Sequence, residues 1–187
     1  MRKKGETKII GVMGTDSKVG VTHLAIMISN YIANVYGKKV GYLEYDGESS
    51  VKWLCENEKK FKHYGINFYT SVYVEKLPEL IAKGYDYIVI DFSSDYFKGR
   101  SEFLRCNKKI VVGDVNPWNI INYYKFIERT SGECNCDKWI YTATFGILKD
   151  KMTLGMDKRI PVYKIPYNPD IFKIKHNNLE LMEKLLC

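Results

Sequence analysis

The chain has 187 residues, 45% of them hydrophobic and 27% charged, enough apolar material for the core of one soluble domain and too much chain for a small disulfide-held module. Its 29 Lys and Arg against 22 Asp and Glu leave a formal charge of +7, which favours acidic partners and leaves nucleic acid, anionic lipid and nucleotide phosphate all open. No window approaches the roughly 18 consecutive apolar residues of a membrane span, and MRKKGETK (1–8) runs straight into a strand-like segment, so neither a span nor a cleaved leader is expected.

Apolar patterning then alternates between strand-like and helix-like pieces. Lys8–Gly14 (KIIGVMG) predicts a short buried strand. Thr22–Tyr36 predicts a helix with Leu24, Ile28, Tyr31, Ile32 and Val35 on its inner face, stopped by Gly37. Lys39–Tyr45 predicts a second strand, Ser50–Lys60 a helix, Ile66–Val72 a third strand, and Val74–Lys83 a helix ended by Gly84. Tyr85–Phe92 (YDYIVIDF) is β-branched or aromatic at nearly every position, the pattern of a buried parallel strand. Lys108–Val115 predicts another strand, and Asn116-Pro117 opens a helix in cap-then-proline order with Ile120, Ile121, Tyr124 and Ile127 as its inner stripe. Lys138–Thr144 and Pro161–Ile165 predict the last strands, and Asn178–Leu186 a terminal helix. Strands alternating with helices at this spacing require right-handed crossovers. The expected fold is therefore α/β, a three-layer α/β/α arrangement around a mostly parallel central sheet. No repeat, linker or low-complexity tract interrupts it, so one domain over residues 1–187 is expected.

Between the first strand and the first helix lies Gly14-Thr15-Asp16-Ser17-Lys18-Val19-Gly20-Val21-Thr22. Backbone N–H groups of a glycine-bearing turn that opens a helix make an anion cradle. Against the phosphate-loop pattern G-x-x-x-x-G-K-[ST], Gly20 and Thr22 fit and Val21 stands at the lysine position. On this pattern alone, a tight strand-to-helix turn is an equal reading.

Three further segments bear on the choice: LEYD (Leu43–Asp46), the aspartate Asp91 that ends YDYIVID, and KIPYNPDIF (Lys164–Phe172) after the last strand. In order and context these, with VMGTDSKVGVTHLA (12–25), resemble the ParA/MinD family of deviant phosphate-loop ATPases, and within it the TadZ/CpaE branch associated with pilus and secretion assembly. The resemblance implies a P-loop NTPase-like fold, ATP or ADP and Mg²⁺ as ligands, a homodimer, and a protein partner in a pilus, secretion or partition assembly. It implies that the loop residues Gly14, Ser17, Lys18, Val19, Gly20, Val21 and Thr22 hold the phosphates. It further implies that Thr22 Oγ ligates Mg²⁺, that Asp91 holds the ion through a water, and that Pro166 and Tyr167 form the turn beside the adenine. Glu44 and Asp46 match the acidic pair that orients water and metal, the candidates for a catalytic role. The alternatives are a strand-end carboxylate capping the next loop for Asp91, and solvated loop acids for Glu44 and Asp46.

Departures from the family's pattern bear on function. The family's loop carries lysines at the positions of Asp16 and Val21, and this chain offers only Lys18, at a position the family fills with glycine. A charge-assisted hydrogen bond is worth about 1.5–3 kcal/mol, so losing the lysine at position 21 weakens binding about 10- to 150-fold. Phosphoryl transfer depends still more on cationic groups, and weak or absent hydrolysis is expected. The strand Tyr141–Thr144, with Phe145 and Gly146 after it, lacks the asparagine that the family offers to the adenine. The segment between the acidic pair and Asp91 is also shorter than usual. An active partition-type ATPase using Lys18 and a nucleotide-free interaction scaffold stand as alternatives to a degenerate nucleotide-binding protein that positions an assembly.

Other features are weighed more simply. Five cysteines (Cys55, Cys106, Cys134, Cys136, Cys187), odd in number and irregularly spaced, read as free thiols in a reducing cytoplasm, and Cys134-x-Cys136 has the wrong spacing for a zinc knuckle. His23, His63 and His176 are scattered, and no nucleophile elbow is visible. Arg2, Lys3 and Lys4 and the run ENEKKFK (56–62) read as solvated faces or as contacts to DNA or to the inner face of an anionic membrane. The terminal stripe of Leu179, Met182, Leu185 and Leu186 reads as core packing in preference to a membrane-seeking face, because Glu180 and Glu183 share the helix.

Overall fold

The computed structural model describes residues 6–45, 50–54, 58–72, 77–146, 152–154 and 160–186. Asp46, Cys55, Cys187 and the basic residues Arg2, Lys3 and Lys4 lie outside that set. Strand β1 (Lys8–Gly14) leads into helix α1 (Val21–Asn34) and returns as β2 (Val40–Tyr45); a hairpin of β3 (Lys60–His63) and β4 (Ile66–Val72) follows. Helix α2 (Leu77–Ala82), β5 (Tyr87–Asp91), α3 (Tyr96–Arg105), β6 (Lys108–Asp114), α4 (Ile120–Thr130) and β7 (Ile140–Phe145) continue the alternation. A short β8 (Met152–Leu154), β9 (Ile160–Lys164) and α5 (His176–Leu186) complete it.

The described strands form one sheet in the order β3-β4-β2-β5-β1-β6-β7-β9-β8. Its interior pairs are parallel, and both edges are closed by an antiparallel partner, β3 on β4 and β8 on β9. Helices cover both faces. One core joins Ile10 and Val12 of β1 to α1 and to Leu181, Met182 and Leu185 of α5, and the other joins Met13 to Leu80, Phe103, Tyr123 and Phe126 of α2, α3 and α4. Alternation along β1 therefore feeds both layers, as period-two side chains of a central strand must. Gly11 is required here, because a Cβ would come within 2.8 Å of Cys106 Sγ and 2.9 Å of Phe103.

Several expectations are corrected. The helix expected over 50–60 is not seen among its described residues: a single 3-10 turn, Lys52–Leu54, precedes strand β3, and residues 55–57 lie outside the described set. The run Lys60-Phe61-Lys62-His63 has period two, and Phe61 stacks on Phe68 across the hairpin with centroids 4.8 Å apart. Tyr64 and Gly65, at φ 46 and 79, supply the two left-handed residues that a tight hairpin turn demands. Helix α3 carries no apolar stripe strong enough to announce it; Asp95 caps it by accepting from Lys98 N at 3.1 Å. In α4 the inner face is Tyr123, Phe126 and Thr130, supported by Ile120 and Ile127, whereas Ile121 and Tyr124 face outward at 51% and 40% exposure. The stripe of α1 holds except for Val35, which is exposed. The terminal stripe packs inward as expected, with Met182 and Leu185 buried. No helix among the described residues is long and apolar enough to cross a membrane.

Candidate phosphate-binding site

Three parallel strands, β5, β1 and β6, end side by side, and the loop after β1 is tied to both neighbours. Gly14 N donates to Ser93 O at 2.7 Å, and Thr15 N donates to Val112 O at 2.8 Å. A Cβ on Gly14 would meet Val21 Cγ2 at 2.8 Å and Asp16 O at 2.9 Å, so the first residue of the loop has to be glycine. Farther along, Lys18 and Gly20 adopt the left-handed conformation at φ 59 and 96. Thr144 Oγ1, from the end of β7, donates to Val19 O at 2.7 Å and sits where a Cβ on Gly20 would fall. Asp16 is held from two sides: Ser17 N donates to its Oδ1 and Asn122 Nδ2, from α4, to its Oδ2, both at 2.7 Å.

The loop turns α1 toward itself. Gly20 is the N-cap residue, no side chain caps the first turn, and no acid lies in it. The first N–H groups of a helix lack intrahelical partners and carry its positive partial charge. Lys18, Val19, Gly20 and Val21 thus bring their backbone to a turn that can cradle an anion, with Thr22 at its inner edge and the Ser17 amide already taken by Asp16. Among the described residues no cationic side chain reinforces it from inside. Val21 is buried in the core beside Gly14, and Lys18 is exposed. His23 is half-buried, and burial lowers its pKa, which disfavours the charged ring.

Behind the loop stands a hydroxyl–carboxylate cluster. Thr22 Oγ1 donates to Asp91 Oδ2 at 2.6 Å, Tyr42 OH donates to the same oxygen at 2.9 Å, and Ser93 N donates to Oδ1 at 2.9 Å. Burial raises the pKa of Asp91 and the three donors oppose that rise. Burial, with the carboxylates of Asp91 and Glu44, pushes the Tyr42 phenol well up. Glu44 is the register partner of Asp91 across β2 and β5, and its Oε1 accepts from Ser50 N at 2.5 Å. Glu44 is 5% exposed, so it is not a solvated loop acid.

The predicted residues are thereby sorted. Gly14 through Thr22, Glu44 and Asp91 share one end of the sheet, and Asp46 lies outside the described residues. Pro166 and Tyr167 follow β9, which pairs with β7, so their turn leaves that same end. Its anchor is the buried Asn168, whose Nδ2 donates to Lys173 O at 2.9 Å, while the Tyr167 ring is 84% exposed. Tyr42, Asn122 and Thr144 escaped the sequence reading: each looks like ordinary strand or helix filling until the chain is folded. On the α4 side the loop borders a cleft of about 160 Å³ lined by Asp16, Lys18, Asp114, Asn119, Asn122 and Phe145. That is below the roughly 300–1,000 Å³ of small-molecule pockets, and its two carboxylates make it a poor place for phosphate.

No protein-family model and no curated protein matches the sequence. Among solved structures, the MinD cell division protein of Aquifex aeolicus superposes with a TM-score of 0.52 at 20% identity, over 76% of this chain and 70% of that one. The chain has the fold of MinD. Against MinD the likeness is one of architecture, and the chemistry of the loop has to be taken from this chain's own residues. Those residues fit the two implied ligands unequally. Thr22 and Asp91 are hard oxygen donors of the kind magnesium takes, and the uncapped α1 terminus suits a phosphate oxygen, but among the described residues the cradle has no buried cation.

Proposed function

We propose that this chain is a degenerate ParA/MinD-like domain that binds ATP or ADP with Mg²⁺ at the Gly14–Thr22 loop, hydrolyses nucleotide weakly or not at all, and positions or scaffolds a cellular assembly. One observation carries the reading: an uncapped helix terminus facing a Thr–Asp pair, with a buried valine where a lysine would neutralise the phosphates. The backbone of Lys18–Val21 would hold phosphate oxygens, Thr22 would ligate the ion, and Asp91 would hold it through a water. Bound there, Mg²⁺ would supply the charge neutralisation that the loop itself lacks. Glu44, beside Asp91, is the remaining carboxylate placed to orient water. A site without the lysine retains binding through amides but loses most transition-state stabilisation, since that term is almost wholly electrostatic.

A scaffold acts through partners, and the reading extends to a homodimer serving a pilus, secretion or partition apparatus, on the cytoplasmic side of the membrane or at a pole. The TadZ/CpaE-like loop sequence supports the pilus or secretion form, and such genes beside the coding sequence would strengthen it. Calorimetry with ATP and Mg²⁺ is the test. Dissociation constants in the high micromolar to millimolar range, with turnover near background, are expected. No heat of binding up to about 10 mM, well beyond the millimolar limit of useful affinity, would sink the nucleotide reading.

One observation favours the nucleotide-free scaffold as the second reading. Asp16 already engages the Ser17 amide and carries a negative charge to the loop mouth. On that reading Thr22→Ala and Asp91→Ala leave assembly intact.

A further inference from the structure

Two hydroxyls from different elements converge on one oxygen of a buried aspartate. Tyr42, fully buried in the middle of β2, and Thr22, in the first turn of α1, both donate to Asp91 Oδ2, at 2.9 and 2.6 Å. Ser93 N takes Oδ1 at 2.9 Å. An ionised carboxylate offers about four acceptor positions, so the protein fills both on Oδ2 and one on Oδ1. A single lone pair on Oδ1 is left.

The ring that delivers the Tyr42 hydroxyl is fixed. It packs on Phe68 with centroids 5.0 Å apart, and Phe68 in turn stacks on Phe61. A phenylalanine at position 42 would fill the same space, so the hydroxyl is the part of this side chain that packing does not require. Its contribution is to Asp91: two donors on one oxygen and an amide on the other hold the carboxylate in one orientation about its Cβ–Cγ bond.

We propose that Tyr42 is a positioning residue for a divalent cation: it commits Asp91 Oδ2 to the protein and leaves Oδ1 alone to accept from a metal-bound water. This assignment rests on reading Thr22 and Asp91 as the magnesium-holding pair. Groups that orient a metal's partners typically contribute about 10–100-fold to metal affinity.

The test is ADP binding by calorimetry, with Mg²⁺ and with EDTA, in wild type, Tyr42→Phe, Asp91→Asn and the double variant. Mg²⁺ is expected to tighten ADP binding to wild type, and Tyr42→Phe to reduce that tightening about tenfold while leaving binding in EDTA unchanged. The double variant should match Asp91→Asn alone, because Tyr42 works through that carboxylate. Equal Mg²⁺ enhancement in wild type and Tyr42→Phe, or a further loss in the double variant, overturns the assignment. So does a wild type that binds ADP without any Mg²⁺ enhancement, a result that leaves the nucleotide reading standing. Absence of ADP binding in both buffers removes the nucleotide reading itself, and the Tyr42 assignment with it.

Discussion

A valine stands at the mouth of a helix, where the phosphate-loop pattern has lysine. Val21 is 6% exposed and packs against Gly14, so it adds to the core and brings no charge to the cradle. Val21→Lys is therefore expected to tighten ADP binding about 10- to 150-fold, the equivalent of one charge-assisted hydrogen bond of about 1.5–3 kcal/mol. Calorimetry reads this directly, and an unchanged affinity would mean that the loop is not where phosphate sits. The carboxylates at and beyond the site titrate with opposite effects on stability. Burial holds the Asp91 pKa above its ordinary 3.8, so the folded chain binds that proton more tightly than the unfolded one and stability falls as pH rises through the window above 3.8. In urea unfolding, wild type should therefore gain on Asp91→Asn as the solution is acidified from neutrality. Glu133 behaves the other way. Arg100, bound to both its oxygens, together with the Tyr96 hydroxyl, lowers its pKa below 4.5. Its stabilisation is thus present above pH 4.5 and is lost as pH falls through the lowered value, and Glu133→Gln should destabilise at pH 7 with a deficit that closes on acidification. Gly20, Thr22 and Asp91 were legible in the sequence because the loop and strand-end motifs are local. Tyr42, Asn122 and Thr144 were not, since their partners lie 49, 106 and 125 residues away along the chain.

At the scale of elements, α4 shows how a helix can be read correctly as a helix and turned the wrong way. Ile120 and Ile121 are adjacent, so two apolar stripes fit the pattern, and only the packing of Tyr123 and Phe126 against the sheet decides between them. Phe126→Ala should cost about 3–5 kcal/mol, whereas Ile121→Ala should stay within about 0.5 kcal/mol; urea unfolding of the two variants checks the register. The β3–β4 hairpin makes the corresponding case for strands. A helix was expected up to Lys60, where the strand in fact begins, and in the turn that follows Gly65 sits at φ 79 with only ordinary contacts around an added Cβ, the nearest at 3.5 Å. Gly65→Ala is accordingly expected to cost about 1–2 kcal/mol from backbone conformation alone, again by urea unfolding. The strands β1, β5 and β6 were legible because a β-branched run between turn residues has few other uses, and α3 was not, because a capped but polar helix leaves little periodic trace.

For the whole molecule, the parallel arrangement sorts charge by end. Helices run opposite to the strands, so helix C-termini gather at the end away from the loop, and lysines meet them there: Lys108 Nζ donates to Leu185 O at 3.2 Å and Lys109 Nζ to Cys106 O at 2.6 Å. Part of the +7 thus answers the negative ends of the protein's own helices. Acids collect at the other end, where Asp16, Glu44, Asp91 and Asp114 surround the loop. Nucleotide binding there should stabilise the entire fold by mass action. ADP with Mg²⁺ at about ten times its dissociation constant adds about 1.4 kcal/mol, a rise of about 3–6 °C in thermal midpoint for a domain of this size, measurable by differential scanning fluorimetry. The sequence by itself determined the alternation of the central strands with α1, α4 and α5, the α/β class and the position of the loop, because hydrophobic period and turn chemistry act between near neighbours. The tertiary structure alone decided that Val21 is buried, that Asp16 is latched to α4, and that Tyr42, Thr22 and Ser93 converge on one carboxylate. Those facts depend on groups brought together across the sheet, and no local pattern records which distant donor a buried oxygen will find.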